Sequence, residues 1–183
     1  MSPLVFAAFG EIVDSYFAQS PPAMAMEIGA TEWTLLSLPT FDASRRIALN
    51  LKFDSKEGRL ERCECVEGSA RKMEYADATF DCVMSCSVFE HDRAFWVSVA
   101  ECRRVLKPGG LWIIGVPIYM KLPTDAKRTT LTYARHGYAY NADYYRFSEQ
   151  AVREVLLEGF EPYAEKLVRR YPNPYMVAAG RKQ

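Results

Sequence analysis

The chain has 183 residues, 49% of them hydrophobic and 25% charged, enough for a sizeable core without disulfides or a structural metal. Lys plus Arg number 23 and Asp plus Glu also 23, so no net charge favours nucleic acid or an anionic membrane as partner. No apolar run reaches membrane-spanning length, and LVFAAF (4–9) lacks a preceding basic residue and is followed by Glu11 and Asp14, unlike a secretory leader. In chain order, Phe9, Ile12, Val13, Tyr16 and Phe17 share one helical stripe, predicting an amphipathic helix within residues 1–20 that ends before Ser20-Pro21-Pro22 and packs beside the first strand. Ala23 to Leu38 reads as a buried strand, a turn at Gly29 and a short helix. Arg46 to Leu51, Leu60 to Val66 and Phe80 to Cys86 read as strands, and Ala94 to Leu106 as a helix stopped by Lys107-Pro108-Gly109-Gly110. Leu111 to Val116 follows as a buried strand, then a helix from Ser148 to Leu157 and strands near Tyr163 to Val168 and Tyr175 to Ala179. This alternation predicts βαβ units and a parallel sheet in one domain over 1–183.

A strand running into a turn and a helix is where a nucleotide-like cofactor sits in an open α/β sheet. Glu27 stands at the strand's end, Gly29 opens the turn, and Thr31 and Trp33 follow at alternate positions. A dehydrogenase fingerprint requires Gly-x-Gly-x-x-Gly, and Thr31 and Thr34 occupy its later positions. Farther along come FDCVMSCSVFEH (80–91) and RRVLKPGGLWIIGVP (103–117).

These phrases resemble the fourth strand with its loop, and the helix-to-fifth-strand segment, of class I S-adenosylmethionine-dependent methyltransferases. Glu27-x-Gly29 resembles the start of their first motif, an acid followed by Gly-x-Gly-x-Gly, with Thr31 and Trp33 at the later glycine positions. The resemblance spans Ala23 to Gly180. It implies a doubly wound, mostly parallel, Rossmann-like α/β sheet with an antiparallel last strand, and S-adenosylmethionine as cofactor. It also implies contact points. Glu27, Gly29, Ala30 and Thr31 line the methionine part, and Asn50 faces the ribose with one acceptor and one donor. Ser69 and Ala70 flank the adenine, and Ser85, Cys86 and Ser87 close the side nearest the sulfonium. Three paths are open for the turn: a different backbone route with Trp33 turned into the core, a related or weakly held ligand, or a closed pocket that leaves a non-catalytic binding or scaffold domain.

His91, after Glu90, is the candidate base for an acceptor that carries a proton, because its reference pKa lies near working pH; the alternative is that it orients the loop. The segment 117–147 lacks periodicity and is a candidate lid. Tyr144, Tyr145 and Arg146 within it are the candidate acceptor contacts, since aromatic faces with basic groups suit a planar, sugar or anionic molecule. Asp143 to Phe147 resembles a phrase in methyltransferases of glycans and small molecules, and the expected acceptor is a small molecule. Ser148 is placed to cap the next helix. Cys63, Cys65, Cys82, Cys86 and Cys102 are odd in number, lie mostly in apolar segments and contain no Cys-x-x-Cys, so core thiols in a cytoplasmic protein are expected and no metal site.

Overall fold

The computed structural model describes residues 1–53, 60, 62–119, 143–169 and 174–183. Helix α1 (Pro3–Tyr16) begins with Pro3 in its first turn, where a missing N–H costs nothing, and buries Val5, Phe9, Ile12 and Val13. Strands β1 (Met24–Ile28), β2 (Arg45–Asn50), β3 (Glu64–Glu67), β4 (Phe80–Cys86), β5 (Leu106–Pro117), β6 (Phe160–Val168) and β7 (Tyr175–Lys182) form one sheet, in the order β3-β2-β1-β4-β5-β7-β6. β1 to β5 run parallel, and β7 lies antiparallel between β5 and β6. α2 (Phe95–Val105) joins β4 to β5. A single α turn, α3 (Glu149–Ala151), continues as a π-helical stretch, Val152–Leu156. Ser148 caps it, its side chain accepting from the Ala151 N–H at 3.0 Å.

Strand periodicity divides the core. Met26, Ile28, Ile47, Leu49, Val83, Trp112 and Ile114 point to the face covered by α2 and α3. Ala25, Ala48, Cys82, Met84, Leu111 and Ile113 point to the other, in one cluster with α1 and with Leu35, Leu36 and Phe41. Trp112 Nε1 donates to the Leu156 carbonyl at 3.1 Å, satisfying a group exposed where the π-helical stretch ends.

Four expectations about the elements need correction. α1 packs over β6 and β7 rather than beside the first strand; Ser15 Oγ meets Tyr163 OH at 2.9 Å, and Phe9 lies so close to Gly115 that an added Cβ would meet its ring at 2.8 Å. The short helix after Gly29 is two 3-10 turns, Leu35–Ser37 and Pro39–Phe41, because Pro39 has no N–H to continue a helix begun at Leu35. β3 starts at Glu64, later than the apolar run beginning at Leu60, and Cys65 on it is exposed. The glycines of Lys107–Gly110 do turn left-handed, at Gly109 (φ +75°), but as an irregularity within β5 opposite the Phe80/Cys82 register shift.

Candidate functional site at the carboxyl edge of the sheet

Register aligns the strand ends. Ile28 pairs with Leu49 on one side and Ser85 on the other, Asn50 pairs with Glu67, and Cys86 pairs with Gly115. Gly29, Asn50, Ser69 and Ser85 to Ser87 therefore lie along one edge, where parallel strands leave backbone groups for a ligand.

The turn after β1 is built around Glu27. Its buried carboxylate accepts from Thr34 Oγ1 at 2.5 Å and the Leu35 N–H at 2.7 Å, while Thr34 Oγ1 accepts from the Leu36 N–H at 3.0 Å. Burial pushes the Glu27 carboxyl up to about 7, against the pull of those donors. Gly29 has φ +76°, its N–H donates to the Leu49 carbonyl at 2.7 Å, and a Cβ there would lie 2.2 Å from Val88 Cγ2. Gly29 is the sole left-handed residue of this turn, so the chain needs no glycine at Thr31 or Trp33. Trp33 does not enter the core: it is 68% exposed, with Nε1 donating to Glu32 at 3.0 Å. Ala30 is buried and Thr31 half-buried.

Asn50 clamps the neighbouring loops. Nδ2 donates to the Ala30 carbonyl at 3.0 Å, Oδ1 accepts from the Leu51 N–H at 2.8 Å, and its carbonyl accepts from the Gly68 N–H at 2.8 Å. Ser69 accepts from the Arg71 N–H through Oγ at 3.2 Å and from the Lys72 N–H through its carbonyl at 3.1 Å, with Ala70 half-buried between. Arg71 then reaches Asp92 at 2.5 Å, tying this loop to the one after β4. Asp92 also accepts from the Ala94 N–H and Ser98 Oγ at the start of α2; although burial opposes it, the bonds from Arg71, Ser98 and Ala94 hold its carboxyl below the usual range.

On the β4 side, Ser85 is buried and Ser87 is left-handed (φ +55°). Tyr175 on β7 reaches Ser87 Oγ at 2.9 Å and Cys86 Sγ at 3.2 Å; burial pushes its phenol well above the ordinary value and the Cys86 thiol up to about 12. Val88 leads into a 3-10 turn, Phe89–His91. Glu90 is buried within it, and burial pushes its carboxyl up to about 8, with Arg146 opposing. His91 stands with Nε2 3.8 Å from Glu90 Oε1 and Nδ1 3.9 Å from Asp143 Oδ1.

The described end of the candidate lid docks on this turn. The Tyr144 and Tyr145 N–H groups both donate to the Glu90 carbonyl, at 2.8 and 3.1 Å. Tyr145 packs edge-on against Phe95 and donates its hydroxyl to the Arg93 carbonyl at 3.0 Å. Tyr144 stays exposed, with the Arg93 guanidinium 5.9 Å from its ring centroid. Arg146 grips Asp143 with two bonds, at 2.6 and 2.7 Å, and both side chains are buried. Residues 120–142 of the lid fall outside the described residues, His136 with them.

The residues that sequence reasoning passed over are Val88, Glu90, Asp92, Asp143 and Tyr175. Only Asp143 carried a local signal, its spacing of three from Arg146. No group of metal-ligating side chains occurs among the described residues, and the five cysteines are free.

A strand order of 3-2-1-4-5-7-6, with only the seventh strand antiparallel and a left-handed glycine after the first, decides the architecture. The fold is that of the class I methyltransferases. The family model for the methyltransferase domain matches residues 37–114. Among solved structures, the methyltransferase that acts on N1 of 1,6-didemethyltoxoflavin, from Burkholderia thailandensis, with its substrate and S-adenosylhomocysteine bound, superposes with TM-score 0.70 at 21% identity. The match covers 96% of this chain and 78% of that one. The [4+2]-cyclase SpnF superposes with TM-score 0.70 at 13% identity over 94% of this chain and 80% of that one, so the methyltransferase fold also hosts other chemistry. In sequence, a probable S-adenosylmethionine-dependent methyltransferase of Mycolicibacterium smegmatis is 34% identical over 83 residues, 42% of this chain and 31% of that protein. The chain thus spans less than a third of that relative's length.

Proposed function

We propose that the chain binds S-adenosylmethionine along the carboxyl edge of β1, β2 and β4 and transfers its methyl group to a small molecule. The observation that carries this reading is the left-handed Gly29 turn, packed under Val88 and aligned with Asn50, Ser69 and Ser85 on one edge of a methyltransferase sheet. Residues Gly29 to Thr31 and the loops held by Asn50, Ser69 and Ser87 are the groups that would hold the cofactor. When bound, it supplies a methyl group on a sulfonium. What the chain adds is alignment of an acceptor with that methyl group, a contribution that holds whether or not a base takes part. His91, 3.8 Å from Glu90 and 3.9 Å from Asp143, would take a proton from an acceptor that carries one, and the exposed Tyr144 ring would offer it a stacking face. The even charge balance supports a small acceptor over nucleic acid, and no helix among the described residues is long and apolar enough to cross a membrane.

Incubating the protein with methyl-labelled S-adenosylmethionine and a metabolite extract tests this directly. Label is expected in the small-molecule fraction with release of S-adenosylhomocysteine; label only in protein or nucleic acid, or no release, would contradict it.

A further inference from the structure

Ser87 is left-handed, at φ +55°, a backbone conformation that a Cβ disfavours and that serine adopts only when its surroundings hold it there. Two bonds from strands beyond β4 do so. The Ser87 N–H donates to the Gly115 carbonyl on β5 at 3.0 Å, and Ser87 Oγ meets the Tyr175 hydroxyl on β7 at 2.9 Å. Tyr175 is itself aimed. Its ring lies so close over Gly115 that an added Cβ there would meet Cε1 at 2.8 Å, and the Phe9 ring of α1 packs against the same glycine. Cys86 Sγ lies 3.2 Å from the same hydroxyl, so the buried phenol is satisfied at the end of β4.

The consequence of the left-handed turn appears one residue on. Val88 Cγ2 takes the space beside Gly29, 2.2 Å from where a Cβ would stand, and a change of φ at Ser87 would redirect the chain that puts it there. Contacts thus run from β7 through Ser87 and Val88 to the turn after β1, although β4 and β5 lie between those strands. We propose that Tyr175 is a positioning residue for the cofactor: its hydroxyl holds Ser87 left-handed, seats Val88 on Gly29 and so fixes the strand edge that the cofactor would meet. This rests on the methyltransferase reading above and adds to it a residue of β7, outside the phrases 80–91 and 103–117. Glu90 is the rival holder, since its carboxyl also faces Ser87. It belongs to the same short turn and moves with Ser87, whereas Tyr175 is fixed in the sheet by its pairing with Pro117 and Val168.

Calorimetric titration with S-adenosylhomocysteine, beside melting temperatures taken without ligand, tests this. Tyr175→Phe keeps the ring and removes the hydroxyl; affinity should fall about tenfold, as the cost of a left-handed serine depletes the competent turn. Adding Ser87→Gly to Tyr175→Phe should bring affinity back to within about threefold of wild type, because glycine adopts the turn unaided. Should Tyr175→Phe not fold, Ser87→Ala takes its place: it loses the same bond, keeps the cost, and should bind about tenfold less tightly than both wild type and Ser87→Gly. A hydroxyl that only stabilises the fold would lower the melting temperature and leave affinity unchanged in Tyr175→Phe or Ser87→Ala, which would overturn the proposal. A loss that Ser87→Gly does not restore would overturn it too, as would a loss in Ser87→Ala that Tyr175→Phe does not share, since Glu90 would then hold the serine. Wild-type protein that binds no S-adenosylhomocysteine removes the methyltransferase reading and this proposal with it, whereas wild-type binding with any of the three contrary results overturns this proposal alone.

Discussion

Gly29 is the residue on which the edge of the sheet turns. A valine there must hold a left-handed φ and place its Cβ where Val88 Cγ2 already sits, so Gly29→Val should cost about 3 kcal/mol or more. Gly29→Ala combined with Val88→Ala should recover part of the loss, since the clash goes and only the φ strain stays; denaturant unfolding of the single and double variants measures the coupling. Trp33, by contrast, touches little. Trp33→Ala should leave stability within about 0.5 kcal/mol, and a larger loss would show that the ring packs after all. Arg146→Met breaks the buried pair with Asp143 and should cost about 3–5 kcal/mol, while adding Asp143→Asn should restore much of it. Glu27 and Gly29 were readable in the sequence because an acid and a glycine at a strand's end have local reasons to be there. Glu90 was not, since the charged groups that act on it, Arg146 and Asp143, lie more than fifty residues away in the chain.

At the scale of elements, β1, β2 and α2 follow the apolar periodicity to within a residue or so, and β4 runs from Phe80 to Cys86 as its residues predict. The segment after β1 does not follow. Leu35, Leu36 and Leu38 offer an apolar stripe that suits a helix, but Pro39 interrupts it and the Glu27–Thr34 bond fixes a 3-10 turn instead. That bond was invisible to pattern reading, because Thr34 looks like any helix cap until the buried carboxylate beside it is known. Thr34→Val removes both the donor to Glu27 and the acceptor for the Leu36 N–H while keeping the volume. It should lower stability by about 1–3 kcal/mol, read as a fall in melting temperature, and an unchanged value would mean that the turn is held by its leucines alone. The register of the parallel strands likewise could not be read from any one of them, although it alone brings Gly29, Asn50 and Ser85 into line.

Across the molecule, two buried acids shape the response to pH. Glu27 and Glu90 are held up to about 7 and about 8, so the folded chain keeps protons that the unfolded chain gives up near 4.5. Stability is therefore fullest below 4.5 with respect to these groups and falls as pH rises through the folded values. The double variant Glu27→Gln, Glu90→Gln should flatten this decline, since the glutamine carbonyl can take over the bonds from Thr34 and Leu35; a wild-type slope retained in the variant would place the titration elsewhere. The topology as a whole was legible from its phrases, and the acceptor was not, because no motif in the chain encodes it. The proposed adenosyl cofactor on the carboxyl edge would unite the turn and the aligned strand ends. Calorimetric titration of the protein with S-adenosylhomocysteine measures this most directly. The account predicts binding at one site per chain together with a rise in melting temperature that grows with ligand concentration, and a titration without heat and without that rise would contradict it.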